Sequence, residues 1–302
     1  MKTAVIGIGS NSVRMLVSEI QGEEGRRIRR EREGTRLFTG LDENRMLQDS
    51  AMLHTCEAVE AMAELARRDG AEEFLLFATS ATRDAVNREA FGELLRRRTG
   101  MDMVICSGEE EAMYSFLGAV EEGYCGVVDI GGGSTEIVTG SPEKLTCAFS
   151  CQMGAVRFFR EWPLENSGDM ERVIRAAEAV LEENLRRHPV ERMPDTWCGT
   201  GGTFTTLASM NRGVPWTNRQ GMHGTELERG EVEEHGKRLA DMTVEERKKV
   251  PEIQPNRADI IVHGICILLA CMRVLGMRKI RVSEYGNLDG YTRSVYHLRK
   301  LQ

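Results

Sequence analysis

A chain of 302 residues, 41% hydrophobic and 29% charged, is long enough for two domains, each with its own core. A formal net charge of −7 argues against a general nucleic-acid binder, which would carry a basic face. No apolar run reaches the roughly 18 residues of a membrane span, and Ile260 to Leu269 is short and holds a histidine. The N-terminal residues read directly as a strand, so no secretory signal is expected. The eight cysteines are scattered through apolar stretches without a CxxC pair, and no histidine cluster accompanies Cys147 and Cys151. They read as buried reduced thiols, and a cytoplasmic protein is expected.

In chain order, Val5 to Val17 reads as strand, Gly/Ser/Asn turn, strand, with Gly9, Ser10, Asn11 and Ser12 in the turn. A third strand is expected over residues 27–38. The basic run Arg26-Arg27-Ile28-Arg29-Arg30 alternates with Glu31 and Glu33 and reads as a solvated face. Asp49 is placed to cap a helix whose apolar positions include Leu53, Cys56, Val59, Met62, Ala63 and Ala66, ended by Gly70. Phe74 to Ala78 reads as a buried strand, and Thr79 to Asn87 as a loop or helix start. Asn87 to Arg98 reads as a helix, and Met103 to Cys106 as a strand. Strands alternating with helices define an α/β domain whose functional loops lie at the C-terminal strand ends.

Ser107-Gly108-Glu109-Glu110-Glu111 opens the next helix. Ser107 and Glu110 have capping-box spacing, Glu109 complements the helix dipole, and Glu111 is left without a capping duty. Three acids in a first turn are also what a helix N-terminus ordinarily carries. A second domain begins near Gly123 with Val127-Val128-Asp129-Ile130-Gly131-Gly132-Gly133-Ser134-Thr135-Glu136. A plain turn seldom needs three glycines; here they allow close main-chain approach and several N–H groups aimed at one anion. Asp129, at the strand end, can reach a metal or water beside it.

Laid over the first hairpin, Gly131 falls on Gly9, Ser134 on Ser12 and Asp129 on Gly7. Two such hairpins roughly 120 residues apart point to two similar domains facing each other across a cleft. A third strand is expected over 144–150, a short helix after Gln152, and a long amphipathic helix over 169–187. Trp197 to Phe204 forms a further Gly/Thr turn with Gly201 and Gly202, suited to holding a phosphate or serving as a simple strand-to-helix turn. Polar helices follow to Val250. An apolar helix then runs to Leu275, read as core, with a strand at 279–282 and a final helix after Leu288.

Together these segments resemble the exopolyphosphatase and guanosine pentaphosphate phosphatase family. The matching residues are Gly9-Ser10-Asn11-Ser12 with Arg14; Ala78 to Arg83 with Asn87; Ser107 to Ala112; Asp129 to Glu136; Gly199 to Thr203; and Arg257-Ala258-Asp259 with Ser283 to Gly286. The resemblance implies two ribonuclease H-like, actin-like α/β domains of the acetate kinase–sugar kinase–heat-shock–actin fold flanking a cleft. They are placed at 1–122 and 123–302, with the last helix a candidate to pack back on the first.

It also implies release of terminal phosphate from inorganic polyphosphate or guanosine pentaphosphate. Glu111 matches the family's catalytic base, beside Glu110, and Arg83 is assigned to developing charge. Gly9, Ser10, Asn11, Ser12, Gly131, Gly132, Gly133, Ser134, Gly201 and Gly202 are assigned to phosphate, and Asp129 and Glu136 to Mg²⁺. A homodimer is the expected assembly. One departure stands out: family members generally carry an aspartate where this chain has Gly7. That leaves two rivals, a sensor that binds polyphosphate or alarmones without cleaving them, and a kinase or ATPase of the same fold using residues 199–203.

Overall fold

A computed structural model describes residues 1–218, 221–298 and 300–301. The chain forms two compact units, Met1–Gly118 with Asn287–Gln302, and Ala119–Gly286. The division thus falls four residues before the expected 122/123, and the C-terminal segment from Asn287 belongs to the first unit.

The first unit opens with β1 (Lys2–Ile8), β2 (Val13–Gln21) and β3 (Glu24–Glu33), followed by α1 (Asp49–Arg68). Next come β4 (Glu73–Ala78), the short α2 (Ser80–Asp84), α3 (Arg88–Thr99), β5 (Met103–Ile105) and α4 (Gly108–Ala119). The second unit holds β6 (Cys125–Ile130), β7 (Thr135–Ser141), β8 (Lys144–Cys151), α5 (Ala155–Glu161) and α6 (Met170–Arg187). It continues with β9 (Trp197–Thr200), α7 (Gly202–Arg212), β10 (Glu226–Glu228), α8 (Arg229–Ala240), α9 (Val244–Arg247), α10 (Ile261–Val274) and β11 (Lys279–Val282). α11 (Asn287–Val295) and β12 (Lys300–Leu301) return to the first unit.

The sheet orders are β12-β3-β2-β1-β4-β5 and β10-β11-β9-β6-β7-β8. In each, an antiparallel meander leads to a central strand that pairs in parallel with the next strand across a helix. Numbered within its unit, the first sheet runs 6-3-2-1-4-5 and the second 3-2-1-4-6-5, so both share the 3-2-1-4 core of the ribonuclease H-like order expected of the fold. β6 is buried along its whole length and β1 nearly so, as strands covered on both faces require. α10 is buried from Ile261 through Met272 and is the central helix of the second core.

Local readings differ from the structure where a distant contact decides. β3 stops at Glu33, because Arg36 adopts a left-handed conformation (φ 52°) and the chain turns off the sheet through a 3₁₀ turn at Leu37–Gly40. Gln48, not Asp49, is the N-cap of α1, and Leu53 is 42% exposed while Met52 and Thr55 take the inner positions. The basic run is not all solvated. Arg27 and Arg30 donate to the two carboxylate oxygens of Asp289, at 2.7 and 3.0 Å, and Asp289 is buried on α11. Arg29 holds Asp69 and Glu31.

Candidate active site

The two hairpin turns are built alike. Gly9 N–H donates to Ser12 O and Gly131 N–H to Ser134 O, each at 3.0 Å. These two glycines, read from sequence as phosphate donors, therefore use their N–H groups inside the turn. The carbonyls of the following residues are tied back. Phe38 N–H donates to Ser10 O at 2.9 Å and Arg36 N–H to Asn11 O at 3.0 Å. In the second unit Val156 and Arg157 N–H donate to Gly132 O at 2.8 and 3.0 Å, and Arg157 Nε to Gly133 O at 2.7 Å. With the oxygens engaged, the N–H groups of Ser10, Asn11, Gly132 and Gly133 have no partner among the described residues. Consecutive unengaged amides in a turn form an anion-binding concavity. Ser134 is buried, and Ser12 Oγ accepts from Arg32 Nε at 3.2 Å.

In the first unit the acid comes from the start of α4. Ser107 N–H donates to Glu110 Oε2 at 2.8 Å, and Glu110 N–H to Ser107 Oγ at 3.1 Å. This is the expected capping box, and it keeps Glu110 exposed in a structural bond. Glu111 turns inward, 6% exposed, and its Oε2 accepts from Arg83 Nη1 at 3.1 Å. The same Nη1 donates to Cys106 O at 2.9 Å, while Arg83 Nη2 is buried without a partner among the described residues. Both side-chain polar atoms of Asn11 and the hydroxyl of Ser80 share that condition. Thr79 N–H bonds Ile8 O at 3.1 Å, which sets Ser80 beside the first turn. Buried polar atoms without a protein partner mark where a polar ligand belongs.

The second unit carries a polar row across four strands. Asp129 lies opposite Glu136, Glu136 opposite Ser150, and Asp129 beside Thr200, so all four share one face. Ser150 Oγ donates to Glu136 Oε1 at 2.7 Å, and both acids are buried. The β9–α7 turn closes on this row. Gly201 has φ 106°, and a Cβ there would strike Ile130 O at 2.6 Å and lie 3.1 Å from Asp129 Oδ1. A Cβ on Gly202 would overlap the Arg257 guanidinium. Both glycines are needed for close approach: Gly201 for the hairpin strand and Gly202 for the arginine.

Among the described residues no three His, Cys, Asp or Glu side chains converge on one point. Magnesium does not need them: it keeps waters and binds through one or two carboxylates plus substrate phosphates. Asp129 and Glu136, adjacent and buried in an otherwise polar row, fit that donor set. Among the described residues the first unit offers no counterpart. Gly7 occupies the equivalent register, opposite Arg14 and beside Phe77. A Cβ there would come within 2.9 Å of the Phe77 ring and 3.3 Å of Leu288 Cδ2. The space an aspartate would need is filled by apolar side chains.

Arg157, Arg257 and Thr200 received no role from sequence. Arg257 lies in one of the quoted segments, but nothing in its spacing from Gly202 signals their contact. The model of the Ppx/GppA phosphatase family matches residues 16–297. The chain belongs to that family. Exopolyphosphatase 2 of Mycobacterium tuberculosis is 32% identical, with 97% of this chain and 98% of that protein covered. A solved structure of an exopolyphosphatase-like protein superposes with a TM-score of 0.91 at 25% identity, covering 97% of both chains. The Aquifex aeolicus Ppx/GppA structure gives 0.81 at 29% identity, covering 98% of this chain and 97% of that one. The Ppx/GppA match thus spans both units, including the C-terminal return to the first.

Proposed function

We propose that the chain hydrolyses the terminal phosphoanhydride of inorganic polyphosphate, with guanosine pentaphosphate as a second substrate. Family membership and the names of its exopolyphosphatase relatives support the first; the nucleotide rests on the resemblance of the motifs. The buried Glu111–Arg83 pair beside unengaged turn amides carries the reading.

In this proposal Glu111 takes a proton from water as the water oxygen attacks the terminal phosphorus in line with the bridging oxygen. The bond to the bridging oxygen breaks, and the shortened chain leaves with the electron pair. Arg83 donates through Nη2 to the transferring phosphoryl oxygens, and the Ser10 and Asn11 amides and the Asn11 side chain hold them in position. The Gly132 and Gly133 amides bind phosphate oxygens in the same way. Asp129 and Glu136 would hold Mg²⁺, which neutralises phosphate charge when bound. The eight unbridged cysteines fit a reducing compartment, and action in the cytoplasm as a homodimer is part of the proposal.

The test is free phosphate released from polyphosphate, guanosine pentaphosphate or ATP in the presence of Mg²⁺. Release from the first two, with Glu111→Gln lowering it by about 10²- to 10⁴-fold while binding persists, is the expected outcome. Near-normal turnover in that variant rejects the role of Glu111. Binding without release assigns the protein as a sensor, a reading favoured by the filled space beside Gly7. ATP consumption that depends on an added acceptor assigns it as a kinase.

A further inference from the structure

α11 meets a different strand of the first sheet with nearly every residue at its start. Asn287 Oδ1 accepts from Arg14 Nη2 of β2 at 3.0 Å, and Leu288 packs against Gly7 of β1. Asp289 accepts from Arg27 and Arg30 of β3, and Tyr291 stacks on Phe77 of β4 with 4.6 Å between ring centroids. Four strands thus fix this helix in place. Two of its residues, Gly290 and Arg293, face α4 instead.

A Cβ on Gly290 would lie 1.7 Å from Tyr114 O and 2.9 Å from Gly118 N, so the backbones of α11 and α4 touch at this crossing. The φ of Gly290 is not positive, and glycine is a poor helix former, so what it supplies is the close approach. Tyr291 adds an edge-on contact to the Tyr114 ring at 5.0 Å. Arg293 Nη1 donates to Leu117 O, one of the last four carbonyls of α4, which the helix itself leaves unsatisfied. Glu111 stands on the same helix, three residues before Tyr114 and about 4.5 Å away along the axis. A hydrogen-bonded helix moves as a body over so short a distance, and a shift at the crossing is carried to the Glu111 carboxylate and its bond to Arg83.

We propose that Gly290 and Arg293 are positioning residues for hydrolysis: Gly290 sets how close α4 comes to α11, and Arg293 sets where α4 stands along its own axis. Together they aim Glu111 at the water beside the phosphoryl group held by the first turn. The inference rests on the assignment of Glu111 as the base. The turn that holds the phosphate is steadied by α11 through Asn287 and not through Gly290 or Arg293. Moving α4 therefore displaces the base and leaves the phosphate cradle in place, so the loss falls on kcat and spares KM. A misplacement of about 1 Å is enough to cost roughly 10²-fold.

The experiment is steady-state phosphate release from polyphosphate by the full chain carrying Gly290→Ala, Arg293→Gln or Arg293→Lys, each alone and combined with Glu111→Gln, with folding checked by circular dichroism. Gly290→Ala should lower kcat about 10²-fold and Arg293→Gln about tenfold, with KM within about threefold in both, and Arg293→Lys should restore most of the second loss. In the Glu111→Gln background the same changes should alter the residual rate by less than about twofold, because the group they position is already gone. Should Gly290→Ala not fold, the two Arg293 variants decide on the same criteria. A kcat within threefold of the original, a loss confined to KM, or an undiminished further loss in the Glu111→Gln background would overturn the inference and leave Glu111 as the base. No release by the unmodified protein, or near-normal kcat in Glu111→Gln alone, would overturn both.

Discussion

Glu110 and Glu111 are sequence neighbours with opposite surroundings. The capping box holds the first at the surface, and the helix turns the second 100° away into the unit against Arg83. Glu110→Ala should therefore cost about 1 kcal/mol of stability, read by urea denaturation, and leave phosphate release within a few-fold. A loss as large as that of Glu111→Gln would instead give Glu110 a chemical role. This contrast was legible in the sequence, because a capping box is a three-residue spacing and needs no tertiary information. Gly7 was legible only as an absence. Its filled surroundings come from Phe77 and Leu288, side chains far along the chain. Gly7→Asp should consequently destabilise by about 1–3 kcal/mol in thermal or urea unfolding rather than restore a metal ligand. An undiminished melting temperature with tighter Mg²⁺ binding would contradict the packing argument.

At the scale of elements, β3 and α11 show what a linear pattern conceals. Alternating arginine and glutamate described a solvated strand, yet two of the arginines meet a buried carboxylate delivered by a helix more than two hundred residues later. Arg14, on the neighbouring strand, donates to Asn287 Oδ1 at 3.0 Å, so the same helix also steadies the first hairpin. Asp289→Asn should cost about 3 kcal/mol, because two guanidinium groups lose their counter-charge; an effect below about 0.5 kcal/mol would place the pair with ordinary surface bridges.

In the second unit, His263 of α10 donates from Nε2 to Trp162 O at 2.9 Å, and its buried Nδ1 has no partner among the described residues. Burial is the main cause that lowers its pKa from the usual 6.5, with Arg247 adding to it and Asp259 opposing. As pH falls below 6.5 the unfolded chain takes up this proton first, so His263 should cost the fold stability between 6.5 and its lower folded value. Urea unfolding at several pH values checks this: His263→Gln should flatten the slope across that window, and an unchanged slope would assign the titration elsewhere.

Across the whole molecule, the two units repeat one core strand order and one turn geometry but not one chemistry. Where the second unit has Asp129 and Glu136 in register, the first has Gly7 and Arg14. The shared architecture could be read from glycines, hydroxyls and β-branched runs, because those residues specify backbone. The asymmetry of the polar rows was only partly visible, since it depends on which side chains close each face. Asp129→Asn should raise the Mn²⁺ concentration for half-saturation, measured by electron paramagnetic resonance, at least tenfold with an unaltered circular dichroism spectrum. An unchanged titration would remove Asp129 from the proposed cation site.

The α11 helix and residues 300–301 complete a unit begun by residues 2–8, and this places the units out of step with synthesis. The second is one continuous stretch and has everything it needs once Gly286 has cleared the ribosome. The first, although translated earlier, must wait with Arg27 and Arg30 lacking their carboxylate and β3 lacking its outer neighbour. The amino-terminal half of the nascent polypeptide is thereby the last to mature, and it is the half for which a chaperone would have work.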